Sequence, residues 1–224
     1  MTTPLTPRSF APFGSVISAP LPSSTTTIPS TPPVNAVYAN QKSALKYANI
    51  SPLTSTYSLS PSNSPAHLTM SLFSCFPRSL RSQNNQQIFD LRILERHPFT
   101  TQTFVPLPSP ISNGTRAIII VAPTLPSSSI PSALTPYFPQ STQAGAPDLN
   151  NTKAFVAEPG MGVTYGVGTW HAPMVVVGEG RVDFVVTQWV NGREQDDCQE
   201  VEIPKGMEVA VDLNVGSRTE GPKL

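Results

Sequence analysis

Two short polar motifs in this 224-residue chain contain residue types that can move a proton or bind a metal ion. The first motif is Glu95-Arg-His-Pro-Phe-Thr-Thr-Gln102, which supplies a carboxylate, an imidazole and an amide. Glu95 and His97 are two positions apart, so in an extended chain their side chains point to the same side. Side chains of these types that face one pocket can hold a metal or perform acid–base catalysis. A solvated turn with a salt bridge between Glu95 and Arg96 is the alternative.

The second motif is Gly166-Val-Gly-Thr-Trp-His-Ala-Pro-Met174, which places a histidine directly after a tryptophan in a chain with three histidines and two tryptophans. The two glycines allow a tight bend, and Pro173 restricts the residue before it to extended conformations. We therefore expect a constrained connection between two strands, where Trp170 walls a pocket and His171 points into it. A core tryptophan beside a surface histidine is the alternative.

A third polar stretch, residues 39–47 (Ala-Asn-Gln-Lys-Ser-Ala-Leu-Lys-Tyr), contains two lysines. A lysine such as Lys46 could hold a substrate carboxylate by its charge, although the string itself favours an exposed loop. The chain contains no GxGxxG, Walker A, GxSxG or HExxH string. We therefore do not expect a nucleotide-dependent enzyme or a serine hydrolase.

The segments that must position these motifs are short, apolar and mostly typical of strands. Short strands separated by turn signals favour a mainly all-β sandwich or barrel. Two stretches, residues 6–11 and 130–137, could form short helices. The predicted strands are 15–17, 68–76, 89–94, 102–106, 116–122, 154–157, 161–165, 174–177, 182–189 and 199–203.

The 26 prolines divide these strands. Many lie in Ser/Thr-rich pieces at about 18–33, 51–66 and 122–150, which cannot form central strands because proline lacks a backbone donor and has a fixed φ. We interpret these pieces as surface loops inserted into a single domain that spans residues 1–224.

The composition restricts the class of partner and the compartment. Charged residues make up 12% of the chain and the formal net charge is zero, which argues against nucleic acid or an acidic membrane as a partner. The first residues lack the apolar region of a secretory signal. The wide spacing of Cys75 and Cys198 favours free thiols in a reduced intracellular protein, with a disulfide as the alternative. The final Pro-Lys-Leu only partly matches a peroxisomal address, so we expect a cytoplasmic location, with the peroxisome as the alternative.

The ordered combination of several stretches resembles the ureidoglycolate lyase family, also called ureidoglycolate hydrolase, of the fungal type. The resemblance runs from about residue 10 to residue 203 and depends mainly on the succession of Glu-Arg-His-Pro and Gly-Thr-Trp-His-Ala-Pro. One departure is Lys42, where the family usually has a glycine after an Asn-Gln pair. The stretches are Phe10-Ala-Pro-Phe-Gly-Ser-Val-Ile17, residues 39–47, Leu94-Glu-Arg-His-Pro98 with Gln102 and Pro106, Tyr165-Gly-Val-Gly-Thr-Trp-His-Ala-Pro-Met174, Arg181-Val-Asp-Phe184 and Asp197-Cys198.

The resemblance implies a cupin-like β-barrel, usually a homodimer, that cleaves ureidoglycolate to glyoxylate and urea in allantoin and purine breakdown. Ureidoglycolate is a hemiaminal, so its cleavage needs a base for the hydroxyl proton, an acid for the departing urea and a cationic group for the carboxylate. The hypothesis assigns the base to His97 or His171, and the acid or orienting role to Glu95 or the other histidine. It also assigns the binding of the substrate carboxylate to Lys46 and the positioning of the substrate hydroxyl and urea groups to Gln102 and Tyr165. Trp170 would exclude water.

Metal dependence is open at this level. The set Glu95, His97, Gln102 and His171 has the spacing of a metal-binding cupin with substituted ligand types, and it could hold a divalent ion such as Mn²⁺. The reaction does not demand a metal, so we expect metal-independent activity, with the metal site as the alternative. Two rival functions are a metal-dependent cupin amidohydrolase that acts on a ureido compound and a non-catalytic cupin that binds a small carboxylate.

Overall fold

The computed structural model describes residues 1–108, 114–125 and 145–215. The predicted helix at 130–137, most of the predicted insertion at 122–150 and the carboxyl-terminal Pro-Lys-Leu lie outside these residues. No helix in the described part of the chain is long and apolar enough to cross a membrane.

Strands dominate the regular structure, as the short apolar segments predict. Two four-residue helices accompany them, α1 (Pro7–Phe10) and α2 (Glu194–Asp197). In chain order the strands are β1 (Thr3–Pro4), β2 (Gly14–Ile17), β3 (Ala36–Ala39), β4 (Ala44–Tyr47), β5 (His67–Cys75), β6 (Arg81–Gln83), β7 (Gln86–Arg96), β8 (Gln102–Pro106), β9 (Arg116–Ala122), β10 (Lys153–Ala157), β11 (Gly162–Tyr165), β12 (Trp170–His171), β13 (Val175–Val177), β14 (Val182–Val190) and β15 (Gln199–Val211).

The strands form two large sheets and one separate hairpin. Sheet A has the order β1-β10-β9-β12-β7-β15, with β13 also paired to β9 and β6 also paired to β7. Sheet B has the order β2-β11-β8-β14-β5, and β3 pairs with β4 alone. All pairs are antiparallel except β1 with β10. This arrangement confirms a mainly all-β, cupin-like fold.

Two hydrophobic clusters show where the core lies. One cluster combines side chains of both sheets, such as Phe155 of sheet A with Phe104 of sheet B, and therefore lies between the sheets. The other draws on the opposite face of sheet A. Strand β9 contributes to both, because Ile118 belongs to the second cluster and its neighbour Ile119 to the first. The continuous apolar run 116–122 is thus buried on both faces, as predicted.

The predicted strands agree with the structure in position, and the missed elements share a physical reason. Segments 102–106 and 116–122 match β8 and β9 residue for residue. The strands β1, β3, β4, β6 and β12 were not predicted, because they have two to four residues and, unlike the equally short β2, β11 and β13, do not stand out as apolar runs. The predicted helix at 6–11 is α1, whose first turn Thr6 caps through its side chain.

Residues 39–47, expected as an exposed loop, instead form most of the hairpin β3–β4. Its tip carries three consecutive residues in the left-handed region, Asn40, Gln41 and Lys42, with φ of 47°, 57° and 69°. Left-handed backbone favours glycine, which is consistent with the glycine that the family usually has at the position of Lys42, and a lysine adopts this backbone at a cost in strain. Cys75 and Cys198 are free thiols, as predicted.

The two proline-rich segments within the described residues differ from each other. Residues 18–33 are mostly exposed, as expected of a surface loop. Residues 51–66 contain a short 3₁₀ turn, Tyr57–Leu59, whose Tyr57 side chain is buried. The second segment is therefore anchored to the body of the protein by an aromatic side chain, which its proline and serine content does not reveal.

Candidate active site

The end of β7 presents the first of the two motifs. Glu95 lies opposite His171 across the antiparallel pair β7–β12. After Arg96 the chain leaves sheet A and crosses to sheet B, where β8 begins at Gln102. The step between 96 and 102 is thus a crossing between two sheets.

The second motif folds into a short strand between two longer ones. In β12, His171 pairs with Val121 of β9 as well as with Glu95 of β7. The turn before β12 needs Gly168, whose φ of 73° is left-handed, and the Gly168 amide donates to the His97 carbonyl at 2.9 Å. This hydrogen bond joins the two motifs directly, which neither sequence string could show.

Glu95, His97 and His171 form a compact cluster. One ligand atom from each of the three lies within 4.8 Å of the others. The His171 Nε2 atom is 3.4 Å from Glu95 Oε1, and the ring centroids of the two histidines are 5.4 Å apart. Both histidines are buried and Glu95 is partly buried. The sequence prediction that these three residues face one another is consistent with this geometry.

Backbone carbonyls fix the orientation of both imidazoles. The Nδ1–H of His97 donates to the Asp197 carbonyl at 2.6 Å, and the Nδ1–H of His171 donates to the Thr169 carbonyl at 2.9 Å. A carbonyl only accepts, so in the neutral form each ring carries its proton on Nδ1 and an unshared electron pair on Nε2. Both Nε2 atoms are buried and have no hydrogen-bond partner among the described residues.

Burial and the neighbouring charges set the protonation of the cluster. Burial, followed by the nearby His171, lowers the pKa of His97 to about 4, so this imidazole is neutral near pH 7. Burial opposes the ionisation of Glu95, but the interaction with His171, whose Nε2 lies 3.4 Å from Glu95 Oε1, outweighs it and holds the pKa of the carboxyl below its usual range. Near neutral pH the site therefore contains a neutral His97 and an ionised Glu95.

Gln102 and Tyr165 border the histidines. The Gln102 Nε2 group donates to Gln188 Oε1 at 2.6 Å, which leaves the buried Gln102 Oε1 without a partner of good geometry among the described residues. The Gln102 amide is close enough to His97 to oppose the lowering of its pKa. The Tyr165 ring stacks on the His171 ring, with 3.9 Å between centroids and 12° between planes, and burial raises the pKa of its hydroxyl.

Trp170 and Lys46 lie apart from the cluster. Trp170 is fully buried in the hydrophobic cluster on the opposite face of sheet A, because successive residues of β12 point to opposite sides. The Arg96 guanidinium covers its ring at 4.7 Å from the centroid. Lys46 is an exposed residue of the hairpin β3–β4, and no contact within the described residues joins it to the histidines.

The side chains present fit a divalent cation. The buried acceptor atoms are His97 Nε2, His171 Nε2 and Gln102 Oε1, and Glu95 supplies a carboxylate. Two imidazoles with two oxygen donors suit ions such as Mn²⁺, and the Nδ1–H bonds to carbonyls are the usual outer support of metal-binding histidines. The same atoms can also accept a proton or a hydrogen bond from a small organic molecule.

Sequence reasoning missed three residues that shape the site. They are Asp197, whose carbonyl orients His97, Tyr57, which binds the Asp197 carboxylate, and Gln188, which holds Gln102. The pair Asp197-Cys198 was noticed only as part of a family pattern. The alternation of β14 places Gln188 on the same face as Val186 and Phe184, and this was the available signal for it.

The fold and the site together define a cupin-like protein with a buried His/Glu/Gln cluster suited to acid–base or metal chemistry on a small molecule. The family model for ureidoglycolate lyase matches residues 1–210. The chain therefore belongs to the ureidoglycolate lyase family.

Individual relatives agree with this membership. A protein of Schizosaccharomyces pombe named ureidoglycolate lyase is 34% identical over 210 residues, which cover 94% of each chain. A Saccharomyces cerevisiae protein of the same name is 33% identical over 178 residues, covering 75% of this chain and 78% of its own. A Burkholderia mallei relative, also named ureidoglycolate lyase, is 26% identical over 204 residues. The expected resemblance to fungal members of the family is confirmed.

Proposed function

We propose that this protein cleaves ureidoglycolate to glyoxylate and urea. The observation that carries the proposal is the buried cluster of His97, His171 and Glu95, in a chain whose relatives over nearly its full length are named ureidoglycolate lyase. The free Nε2 atom of one imidazole can accept a proton as the base, and His171 protonated at Nε2 beside the Glu95 carboxylate can donate one as the acid.

The cleavage is balanced without an external reagent. A base removes the proton of the hydroxyl group on the central carbon of ureidoglycolate. The oxygen electrons form the carbonyl of glyoxylate as the bond between this carbon and the urea nitrogen breaks. The bonding electrons stay on the nitrogen, which takes one proton from an acid and leaves as urea. The base and acid thus exchange one proton overall, and no redox cofactor takes part.

We assign the base to His97. Its ring is neutral near pH 7 and its free Nε2 can accept the hydroxyl proton. We assign the acid to the pair of His171 and Glu95, because His171 Nε2 lies 3.4 Å from a carboxylate oxygen that would stabilise a proton on this nitrogen. Tyr165, stacked on His171, keeps that ring in place.

The remaining proposed roles concern binding. Gln102 Oε1 is buried beside His97 and can accept a hydrogen bond from the urea or hydroxyl group of the substrate. Lys46 is our proposed cationic group for the substrate carboxylate, so its exchange to Met should raise KM more than it lowers kcat. Trp170 supports the site from the opposite face of β12 and would keep water out only by packing.

The site can also take a metal. Glu95, His97, Gln102 and His171 would hold a divalent ion, which when bound would polarise the substrate oxygens. The proton transfers described above use only the side chains of the protein, and we propose that cleavage proceeds without a metal.

We further propose that the protein is a homodimer formed at strand β5. Within the described residues β5 pairs only with β14, so its other edge is open along nine residues. Leu68, Met70 and Leu72 occupy alternate positions of β5, so they lie on the same face of the strand, and they are 45%, 75% and 61% exposed. An open apolar edge favours antiparallel pairing with a second copy. Met70→Glu should convert the dimer to a monomer in sedimentation, whereas Val37→Glu, at an exposed apolar residue of the hairpin β3–β4, should not.

The first experiment is a product assay with racemic ureidoglycolate, with and without EDTA. We expect equal amounts of urea and glyoxylate in both conditions. Loss of activity in EDTA and its recovery with Mn²⁺ would overturn metal independence while retaining the lyase. Ammonia and carbon dioxide in place of urea would favour the rival amidohydrolase. Binding of glyoxylate without any turnover would favour the non-catalytic cupin.

A further inference from the structure

Residues 51–66, the proline-rich segment that the sequence presents as a surface insertion, reach the candidate active site through Tyr57. Tyr57 is 3% exposed, and its hydroxyl donates to Asp197 Oδ1 at 2.7 Å. The same hydroxyl is 3.0 Å from the Trp189 carbonyl. A tyrosine hydroxyl that donates to a carboxylate makes a charge-assisted hydrogen bond, which is stronger than a neutral one.

The Asp197 carboxylate also holds the turn that precedes α2. Its Oδ1 accepts from the Asn191 amide and its Oδ2 from the Gly192 amide, both at 2.8 Å. The neighbouring carboxylate of Asp196 accepts from Ser62, so the segment 51–66 is attached to α2 at two places. The backbone of Asp197 is therefore fixed both by its own turn and by Tyr57.

The backbone carbonyl of Asp197 is the group that receives the Nδ1–H of His97 at 2.6 Å. The segment 51–66 also supports the residues after His97, since the Thr56 amide donates to the Phe99 carbonyl at 2.7 Å and the Tyr57 ring packs on the Phe99 ring. His97 is thus held between two elements that Tyr57 joins.

We infer that Tyr57 and Asp197 are positioning residues for His97. They hold the Asp197 carbonyl within hydrogen-bond distance of His97 Nδ1, and this contact fixes the tautomer that leaves His97 Nε2 without a proton. Free imidazole exchanges between two neutral tautomers, and only the Nδ1–H form can accept a proton at Nε2. The consequence for catalysis rests on the proposed function, whereas the effect on the tautomer does not.

The test compares Tyr57→Phe with Tyr38→Phe. Tyr57→Phe removes only the hydroxyl and keeps the ring against Phe99. Tyr38→Phe is the matched control, because the Tyr38 hydroxyl also donates to a carbonyl of a proline-rich segment, that of Pro29 at 2.8 Å, with no contact to His97 among the described residues. Folding of each variant is checked by thermal unfolding.

Two measurements are made on each variant. Long-range ¹H–¹⁵N correlation spectra of the ¹⁵N-histidine-labelled protein report the tautomer of each ring, and assignment is simple because the chain has three histidines. Steady-state kinetics with ureidoglycolate report kcat and KM. We expect the wild-type protein and Tyr38→Phe to show His97 as the Nδ1–H tautomer. Tyr57→Phe should show a measurable Nε2–H population and a kcat lower by about tenfold at nearly unchanged KM.

Each other outcome has a defined meaning. An Nε2–H tautomer at His97 in the wild-type protein would overturn the inference without any variant. A folded Tyr57→Phe with a wild-type tautomer would overturn it too, whatever the change in kcat. If Tyr57→Phe does not fold, Asp197→Asn tests the same contact, because an amide cannot accept all three hydrogen bonds of the carboxylate. Absence of lyase activity in the wild-type protein would reject the proposed function and leave the spectroscopic test intact.

Discussion

Exchange of His97 for asparagine isolates the atom that we propose as the base. The asparagine amide lies near the position of Nδ1 and can still donate to the Asp197 carbonyl, whereas nothing replaces Nε2. We therefore expect the variant to fold, at a cost of about 1–2 kcal/mol for the lost part of a buried ring. Removal of a general base slows a reaction by about 10²–10⁴-fold, which corresponds to about 3–5 kcal/mol in the activation free energy.

The assay is the initial rate of glyoxylate release at saturating ureidoglycolate, with His67→Asn as the control. His67 is an exposed residue at the start of β5, so its exchange should leave the rate unchanged. The loss in His97→Asn should appear in kcat and be at least tenfold. A folded His97→Asn variant with a rate within about threefold of wild type would refute the assignment, because a general base contributes more than that.

Three further predictions concern the same site and its scaffold. His171→Asn, which keeps a donor for the Thr169 carbonyl, should lower kcat at least about tenfold in the same assay, and a rate close to wild type would remove His171 from the mechanism. The free energy of unfolding should be level above pH 6.5 and fall by roughly 1–3 kcal/mol towards pH 4, because His97 is protonated near pH 6.5 in the unfolded chain and only near pH 4 in the folded protein. Urea unfolding at a series of pH values measures this dependence. A dependence that persists unchanged in His97→Asn would contradict the prediction. Gly14→Ala should destabilise the fold by roughly 3 kcal/mol or more, because the new Cβ would lie 1.9 Å from the Thr164 carbonyl oxygen, and a melting temperature equal to wild type would show that the β2–β11 pair can shift.

The strands that carry the site were predictable because their side chains repeat a simple pattern. The alternation of β14 and the unbroken apolar run of β9 depend only on which faces of the strand are buried, and apolar residue types mark the buried positions. The hairpin at 36–47 was missed, because its strands are only partly buried and its tip adopts left-handed backbone without any glycine.

The candidate site was predictable in its residue types but not in its arrangement. Glu95 and His97 share a side of the chain by their spacing alone, and the glycines before His171 predict the turn that precedes it. The positions of Trp170 and Tyr165 relative to His171 depend on which face of each strand turns inward. That choice is made by the pairing of β12 with both β7 and β9, which joins segments far apart in sequence.

The sequence by itself determined the all-β class, most of the strands, the family and the histidine and carboxylate types of the site. Each of these properties is local, because it depends on residue type, spacing or the order of short motifs. Only the tertiary structure decided that the free Nε2 atoms of the two histidines lie in one buried cluster and that a proline-rich segment places Tyr57 against Asp197. Hydrogen bonds between distant segments fix those features, and such a bond leaves no periodic trace in either of the segments that it joins.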